Sequence, residues 1–259
     1  MNTPDFGFAG LEAQLWQFLF LSIRCGAALM AAPVVSGMAV PVPVRVLLSL
    51  VLGTFIAIWL PLPPLPPMLS FAALLAVVQE VLIGAAMGFI LQVAFAAALI
   101  AAEQIAGTMG LAIATSIDPS SGTQSGALGS YFSITMTLLF YAIGGHLLWF
   151  GLLVESHRLL PAGSFIFAAD NAQAVVLFMG HALTAAAAIA LPVVLVLLLV
   201  QVVTGVLARS APQLNLFALG LPAGVLAGIA ALIIVMPLVL DQFARVITAA
   251  LSEIAGLAN

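Results

Sequence analysis

Residues 71–108 read FAALLAVVQEVLIGAAMGFILQVAFAAALIAAEQIAGT, an apolar run of 38 residues with few polar side chains. A helix needs about 20 apolar residues to cross the hydrocarbon core of a bilayer. At about 1.5 Å per residue, one unbroken helix over this run would measure about 57 Å. The run is too long for one simple span and too short for two spans with a loop. It therefore predicts either a hairpin or a helix that stands above the bilayer plane, buried against other protein.

The rest of the chain shows the same apolar character. Of its 259 residues, 64% are hydrophobic and only 5% are charged, whereas soluble domains have about a quarter charged residues. No segment alternates like a barrel strand, so we predict an all-α integral membrane protein forming a single domain over 1–259. Six apolar units are expected, at 15–32, 44–60, 71–108, 127–153, 174–208 and 216–240.

Proline and charge add local expectations. Pro192 predicts a kink or break inside the fifth unit, and Pro212 predicts that this unit ends near Arg209 or Ser210. The charged side chains include five arginines and no lysine, so no basic patch suggests nucleic-acid binding. The arginines are spread too evenly to indicate an orientation. The N-terminus has no basic residue, so we expect no cleavable signal peptide.

Three charged residues lie well away from the ends of apolar units or within their helical run: Arg24, Glu80 and Glu103. A lone charge at the bilayer centre costs about 2.5–3.5 kcal/mol even on lenient scales. Each of these side chains must therefore pair, face protein or line water. Two interpretations of the glutamates stay open, a satisfied contact between packed helices and a polar seam or proton site.

Glycines spaced by four residues indicate close helix packing, because small residues let helix backbones approach in lipid. Gly84 and Gly88 form one such pair, and Gly220, Gly224 and Gly228 form two in succession. The pattern does not say whether the neighbouring helix belongs to this chain or to another.

Residues 110–130, GLAIATSIDPSSGTQSGALGS, differ from the apolar units around them. Asp118-Pro119 and the following PSSG favour a turn. Such irregular backbone fits an exposed loop, or a pore element where it lines a cavity. The IATSI half retains apolar side chains, as a gate would need for sealing by dewetting.

Enzymatic alternatives have little support in the sequence. TQSG (123–126) misses the G-x-S-G of intramembrane serine proteases by one residue, which leaves a Ser125–His146 dyad as a weak alternative. The three histidines lack metal-ligand spacing, and no nucleotide-binding pattern is present. We expect no catalytic residue, no metal site, no cofactor and no enzymatic activity.

Three stretches together carry a resemblance to a known family. They are AAEQIAGTMGLAIATSIDPSSGTQSGALGSYF (101–132), GGHLLWFGLLVESHRLLPAG (144–163) and LARSAPQLNLFALGLP (207–222), with further matches in APVVSGMAVPVPVR (32–45) and QEVLIGAAMG (79–88). In this order and spacing, they resemble the FliR family of flagellar export-apparatus proteins, whose virulence type III secretion counterparts share the architecture.

The resemblance implies a subunit of the export gate, a closed, helically wound ring with FliP and FliQ through which unfolded substrates pass. It also implies FlhB at the entrance, FlhA below, and a place in the bacterial inner membrane within the flagellar basal body, partly above the bilayer plane. A FliP-like part would cover 15–170 and a FliQ-like hairpin 171–259. The runner-up interpretation is a self-contained secondary transporter with a discontinuous helix at 110–126.

The family's plug loop corresponds by motif to residues 110–126 of this chain. The implied plug residues are Gly110, Ile113, Ile117, Asp118, Pro119, Gly122 and Gly126. Two of these, Ile113 and Ile117, would seal the channel, and the glycines would let the segment move. The expected residues of inter-subunit packing are Glu80, Gly84, Gly88, Glu103, Arg209, Pro212, Gln213, Asn215, Gly220 and Gly224.

Overall fold

A computed structural model describes residues 9–33, 40–60, 65–111, 126–161, 169–210 and 216–257. Within these ranges the chain forms seven helices and no strand, which confirms the all-α prediction. The helices are α1 (Ala9–Ala31), α2 (Val42–Trp59), α3 (Phe71–Thr108), α4 (Ala127–Ala142), α5 (Gly145–Leu159), α6 (Ala169–Ser210) and α7 (Leu216–Leu257).

The long apolar runs form unbroken helices. α3 extends over all 38 residues of its run, so the hairpin alternative is wrong. α6 continues for 42 residues through Pro192, and the break considered at that proline is absent. Helices in apolar surroundings tolerate proline where neighbouring groups satisfy the freed carbonyl. α6 ends at Ser210, as Pro212 predicted.

Two predicted boundaries are wrong. The unit at 127–153 divides into α4 and α5, because Gly144 adopts φ +71° and ends the first helix. This left-handed conformation strongly favours glycine. The last unit does not stop at 240 but continues to Leu257. From Asp241 onward it becomes amphipathic, with Phe243, Val246, Ile247, Ala250, Leu251 and Ile254 buried.

Four of the helices are long and apolar enough to cross a membrane: α2, α3, most of α6 and most of α7. A fifth span results if α4 and α5 are counted as one broken span. In α3 the most apolar window is 61% buried, against 17–28% in the other three. α3 is therefore a core helix, while the others present apolar faces to the surroundings.

The helices form two compact units, and each unit draws on several parts of the chain. The first unit comprises 1–92, 145–178 and 250–259, and the second comprises 93–144 and 179–249. The N-terminal half of α3 belongs to the first unit and its C-terminal half to the second. The division into a FliP-like part and a FliQ-like hairpin stays a prediction.

In the first unit, α1 is packed closely by α2 and α3. A Cβ added at Gly53 of α2 would lie 2.9 Å from the Ser22 nitrogen of α1, so only glycine allows this approach. The buried residues of α1 include Phe20, Cys25 and Leu29. Burial of Cys25 agrees with a structural thiol in a helix interface.

The second unit has an aromatic core. Phe95 of α3 and Phe140 of α4 pack edge to face with ring centroids 5.7 Å apart. Phe132 of α4 and Phe243 of α7 pack in the same way at 5.4 Å. These geometries are favourable for aromatic pairs beyond the area they bury, so α4 connects α3 to α7.

Candidate functional site

The C-terminal end of α3 leads directly into the predicted plug segment, and its last turn is closed by two backbone hydrogen bonds. The Leu111 N–H donates to the Ala106 carbonyl at 3.0 Å, and the Gly110 N–H donates to the Gly107 carbonyl at 3.1 Å. This pair of bonds is a Schellman motif, which requires a left-handed residue at its centre. Gly110 supplies it with φ +82°. We call residues 106–111 the α3 cap.

A side chain from α6 completes the α3 cap. The Thr108 carbonyl accepts a hydrogen bond of 2.9 Å from the Gln201 carboxamide nitrogen. A helix leaves its last carbonyls without partners inside the helix, and the Schellman bonds do not serve Thr108. Among the described residues, Gln201 therefore supplies the side-chain donor for the Thr108 carbonyl.

α7 holds the same end of α3 through two glycines. A Cβ added at Gly224 would lie 3.3 Å from the Met109 carbonyl oxygen, and one at Gly228 would lie 2.6 Å from Met109 Cγ. Met109 is only 4% exposed. Gly224 and Gly228 thus form a surface on which Met109 packs. This is the close helix packing that was predicted for the glycine series. No described atom lies within 4 Å of a Cβ at Gly220.

Glu103 joins the beginning of α4 to the end of α3. The Gly126 N–H donates to Glu103 Oε1 at 3.4 Å, longer than the usual 2.9–3.0 Å for N–H···O bonds. Gly126 immediately precedes α4, and its N–H has no acceptor inside that helix. Gly110 and Gly126 are the first and last of the predicted plug residues. Gly110 lies in the α3 cap, and Gly126 is bonded to Glu103 of α3.

The other predicted plug residues lie outside the described part of the chain. They are Ile113, Ile117, Asp118, Pro119 and Gly122. Ser125, the nucleophile of the protease alternative, also lies outside it, whereas His146 is at the start of α5. Among the residues that are described, no three His, Cys, Asp or Glu side chains are grouped so as to hold a metal ion.

Glu80 is part of a buried polar cluster in the first unit. Arg24 of α1 donates from Nε to Glu80 Oε2 at 2.8 Å and from Nη2 to Oε1 at 2.7 Å. Its remaining nitrogen donates to Ser156 Oγ at 3.0 Å, and Nη2 also donates to the Leu160 carbonyl at 2.8 Å. We call these four residues the Arg24 cluster. The cluster joins α1, α3 and the end of α5. Arg24 and Glu80 are only 1% and 2% exposed, and their pairing leaves neither buried charge without a partner.

The glycine pair next to Glu80 brings the backbones of α1 and α3 together. A Cβ at Gly84 would overlap the Arg24 carbonyl oxygen, and one at Gly88 would lie 2.5 Å from the Ala28 carbonyl oxygen. The close packing expected of this pair is present, and its neighbour is within the chain. The contacts described for Glu80, Gly84 and Gly88 are thus with the same chain, while contact with another subunit stays a prediction.

The remaining residues expected at inter-subunit contacts are on or near the end of α6. Arg209 is exposed in its last turn. Pro212, Gln213 and Asn215 lie outside the described ranges.

Sequence reasoning missed three residues of these sites. Gln201 is a single amide within a long apolar run, and the cost of burying an unpaired polar group in lipid could have identified it. Met109 had no such signal, because its role depends on the pairing of α3 with α7. Ser156 also had none, since its hydroxyl is one of many near helix ends.

Comparison with known proteins identifies the family. The profile of the family described as bacterial export proteins, family 1, matches residues 15–250. The chain belongs to this family. The motif-based resemblance to the FliR family is thereby confirmed.

Comparison with individual relatives gives the same result. The chain is 36% identical over 242 residues to the flagellar biosynthetic protein FliR of Escherichia coli K12, covering 92% of this chain and 89% of that protein. It is 33% identical to the protein of the same name from Pectobacterium carotovorum, covering 86% and 85%. The Bacillus subtilis 168 protein of that name is 30% identical, with 86% of each chain covered. This export-family chain is therefore a component of flagellar protein export, bound to the membrane by its apolar helices.

Proposed function

We propose that the chain is a core subunit of the flagellar export gate, which forms with FliP and FliQ the closed channel for unfolded export substrates. In this proposal residues 110–126 are the plug, FlhB lies at the entrance and FlhA below it. The gate would be in the bacterial inner membrane, with part of the assembly above the bilayer plane. The lengths of α3, α6 and α7 support this arrangement, because each exceeds the roughly 30 Å of the hydrocarbon core.

The observation that carries the proposal is the anchoring of both ends of the 110–126 segment. The α3 cap fixes the point where the segment begins, and the bond from Gly126 to Glu103 fixes where it ends. A loop inside a channel must be held at its base if it is to close the channel reproducibly.

Deletion of residues 112–122 tests the plug directly. The deletion leaves Gly110, Glu103 and Gly126 in place, so the base of the segment is retained. We expect the assembled complex with FliP and FliQ to leak small ions in proteoliposomes more than the wild-type complex does. Unchanged leakage and unchanged substrate selectivity, with the complex intact, would contradict the plug assignment.

The partners are tested by the native mass of the complex extracted from its own membrane. A hetero-oligomer containing FliP and FliQ is expected, with the isolated chain unstable. A functional monomer or homo-oligomer that moves a small solute in liposomes would favour the secondary transporter instead. Arg209→Ala is the better variant for contacts between subunits, because Arg209 is exposed, whereas Glu80→Ala would also break the buried Arg24 cluster.

A further inference from the structure

We propose that a groove between α2 and α5 binds one zwitterionic membrane phospholipid of the phosphatidylethanolamine type, which carries a phosphate and a primary ammonium group. The groove has a volume of about 440 Å³ and lies within the first unit. Val51 and Phe55 line it on α2, and Phe150, Gly151 and Val154 line it on α5. We call it the α2–α5 groove. The inference is independent of the proposed channel, because it concerns only these two helices and lipid.

The walls of the α2–α5 groove suit a hydrocarbon chain. Val51 is 56% exposed and Phe55 is 45% exposed, although α2 is apolar enough to cross a membrane. The sequence contains no charged residue between Arg45 and Glu80, so this side of α2 offers nothing for water to bind. On α5, a Cβ added at Gly151 would meet no atom within 4 Å. Because a cavity with apolar walls excludes water, an apolar chain is the ligand that fits it.

The short length of the groove favours an acyl chain over a helix of another subunit. The lining extends from Val51 to Phe55 on α2 and from Phe150 to Glu155 on α5, which is less than two turns of each helix. A helix with its side chains is about 10–12 Å wide and packs along several turns. A single acyl chain is narrow and flexible, so it can fill so short a groove.

An ion pair marks the headgroup end of the groove. Glu155 is one of the lining residues, and its side chain is 42% exposed, while that of Arg158 is 64% exposed. Exposed charges are costly inside the hydrocarbon core, so this pair should lie at the level of the lipid headgroups. Gly151 precedes Glu155 by about one helical turn, which places the open wall of the groove next to the headgroup level.

The two charges at this end match a zwitterionic headgroup. Arg158 Nε donates to Glu155 Oε1 at 2.7 Å, and Arg158 Nη2 pairs with the same oxygen. Glu155 can therefore offer its second oxygen to an ammonium group, and Arg158 can offer Nη1 to a phosphate. A carboxylate at the groove accepts hydrogen bonds from a primary ammonium, whereas the trimethylammonium of phosphatidylcholine has no N–H to donate. The same carboxylate repels an anionic headgroup.

Photoreactive lipids test the site without altering the groove. The protein is extracted with its native partners and returned to nanodiscs that contain phosphatidylethanolamine, phosphatidylcholine or phosphatidylglycerol with a diazirine in one acyl chain. After illumination, mass spectrometry maps the labelled residues. We expect lipid adducts in peptides that cover 51–55 and 150–154. An exposed ion pair or hydrogen bond shifts an equilibrium by up to about fivefold, so the phosphatidylethanolamine probe should label these peptides about two- to fivefold more than either other probe.

Three variants separate the acyl chain from the headgroup. Gly151→Leu fills the groove from a position with open space and should abolish labelling of these peptides by all three probes. Gly180→Leu is its matched control, since a Cβ at this exposed glycine of α6 also meets no atom within 4 Å, and it should label like the wild type. Glu155→Gln should remove the preference for phosphatidylethanolamine over phosphatidylcholine, and Arg158→Gln should lower labelling by every probe.

The result can contradict the inference in three ways. It is overturned if the groove peptides carry no lipid adduct in the wild-type protein, as when another subunit fills the groove. It is also overturned if Gly151→Leu, with a thermal midpoint equal to that of Gly180→Leu, is labelled like the wild type. Equal labelling by the three probes, with no effect of Glu155→Gln, would overturn the recognition of a zwitterionic headgroup.

Discussion

The two glutamates of α3 have opposite environments on one helix. Glu80 is 2% exposed and makes two charge-assisted bonds to Arg24, whereas Glu103 is exposed and accepts one long bond from a backbone N–H. They are 23 residues apart, or about 35 Å along a helix. If α3 lies near the bilayer normal, this exceeds the roughly 30 Å of the hydrocarbon core, so both carboxylates cannot lie within it.

The difference shows how an apolar chain uses its few charges. In the first unit, a carboxylate is neutralised by an arginine and adjoins a glycine pair, so it joins helices in the packed interior. In the second unit, the described partner of the Glu103 carboxylate is the backbone N–H of Gly126 at a helix start. The first arrangement should be expensive to disturb and the second inexpensive.

The largest effect is expected where the Arg24 cluster loses one partner. Arg24→Met leaves Glu80 buried without its cation and should cost about 3–5 kcal/mol of stability. The measurement is the thermal midpoint of the detergent-solubilised complex, read by size-exclusion chromatography. Glu103→Met is the comparison on the same helix and should change the midpoint little.

The double variant Arg24→Met with Glu80→Met tests the cause of that loss. Replacing a buried ion pair by apolar side chains of similar volume is often neutral, so the double variant should be more stable than Arg24→Met alone. If it is less stable, the cluster stabilises the fold by its attraction and not merely by satisfying each charge.

A smaller effect is expected where the glycines of α3 meet backbone. Gly84→Ala places a methyl group against the Arg24 carbonyl oxygen, and overpacking of this kind costs about 1–3 kcal/mol. Gly107→Ala, on the same helix, meets no described atom within 4 Å, and alanine is favoured over glycine in a helix by up to about 1 kcal/mol. The thermal midpoint should therefore fall for the first variant and be unchanged or rise for the second. A fall of equal size in both would refute the assignment of Gly84 to a close backbone approach.

Much of this comparison was open to prediction from the sequence. The free-energy cost of a charge in lipid indicated that Arg24 and Glu80 must be paired or shielded. The glycine spacing indicated a packed helix face at Gly84 and Gly88. Neither observation identified the contacting residue. That residue depends on which helices pack against each other, which is a property of the tertiary structure. The same limit explains why Met109 was not paired with Gly228.

Two helix boundaries were predicted wrongly, although the sequence contains local signals for both. The neighbouring glycines 144 and 145 could have divided the unit at 127–153, since consecutive glycines favour a break. The extension of α7 beyond 240 was missed because the apolar run ends there, although helical periodicity continues through Phe243, Ile247 and Ile254. Hydropathy therefore located the apolar helices well and their ends poorly.

The smallest effect is expected at the contact of α7 with the α3 cap. Gly228→Ala would bring its methyl group within 2.6–2.8 Å of Met109 side-chain atoms, but methionine has three rotatable bonds and adapts readily. The cost should be about 1 kcal/mol, below that of Gly84→Ala, where backbone blocks the space. A double-mutant cycle with Met109→Ala measures the coupling: Gly228→Ala should cost less in that background, because the side chain it displaces is gone. If Gly228→Ala costs the same stability in both backgrounds, the new methyl group does not meet Met109. The contrast between backbone contact at Gly84 and side-chain contact at Gly228 would then be smaller than the glycine contacts indicate.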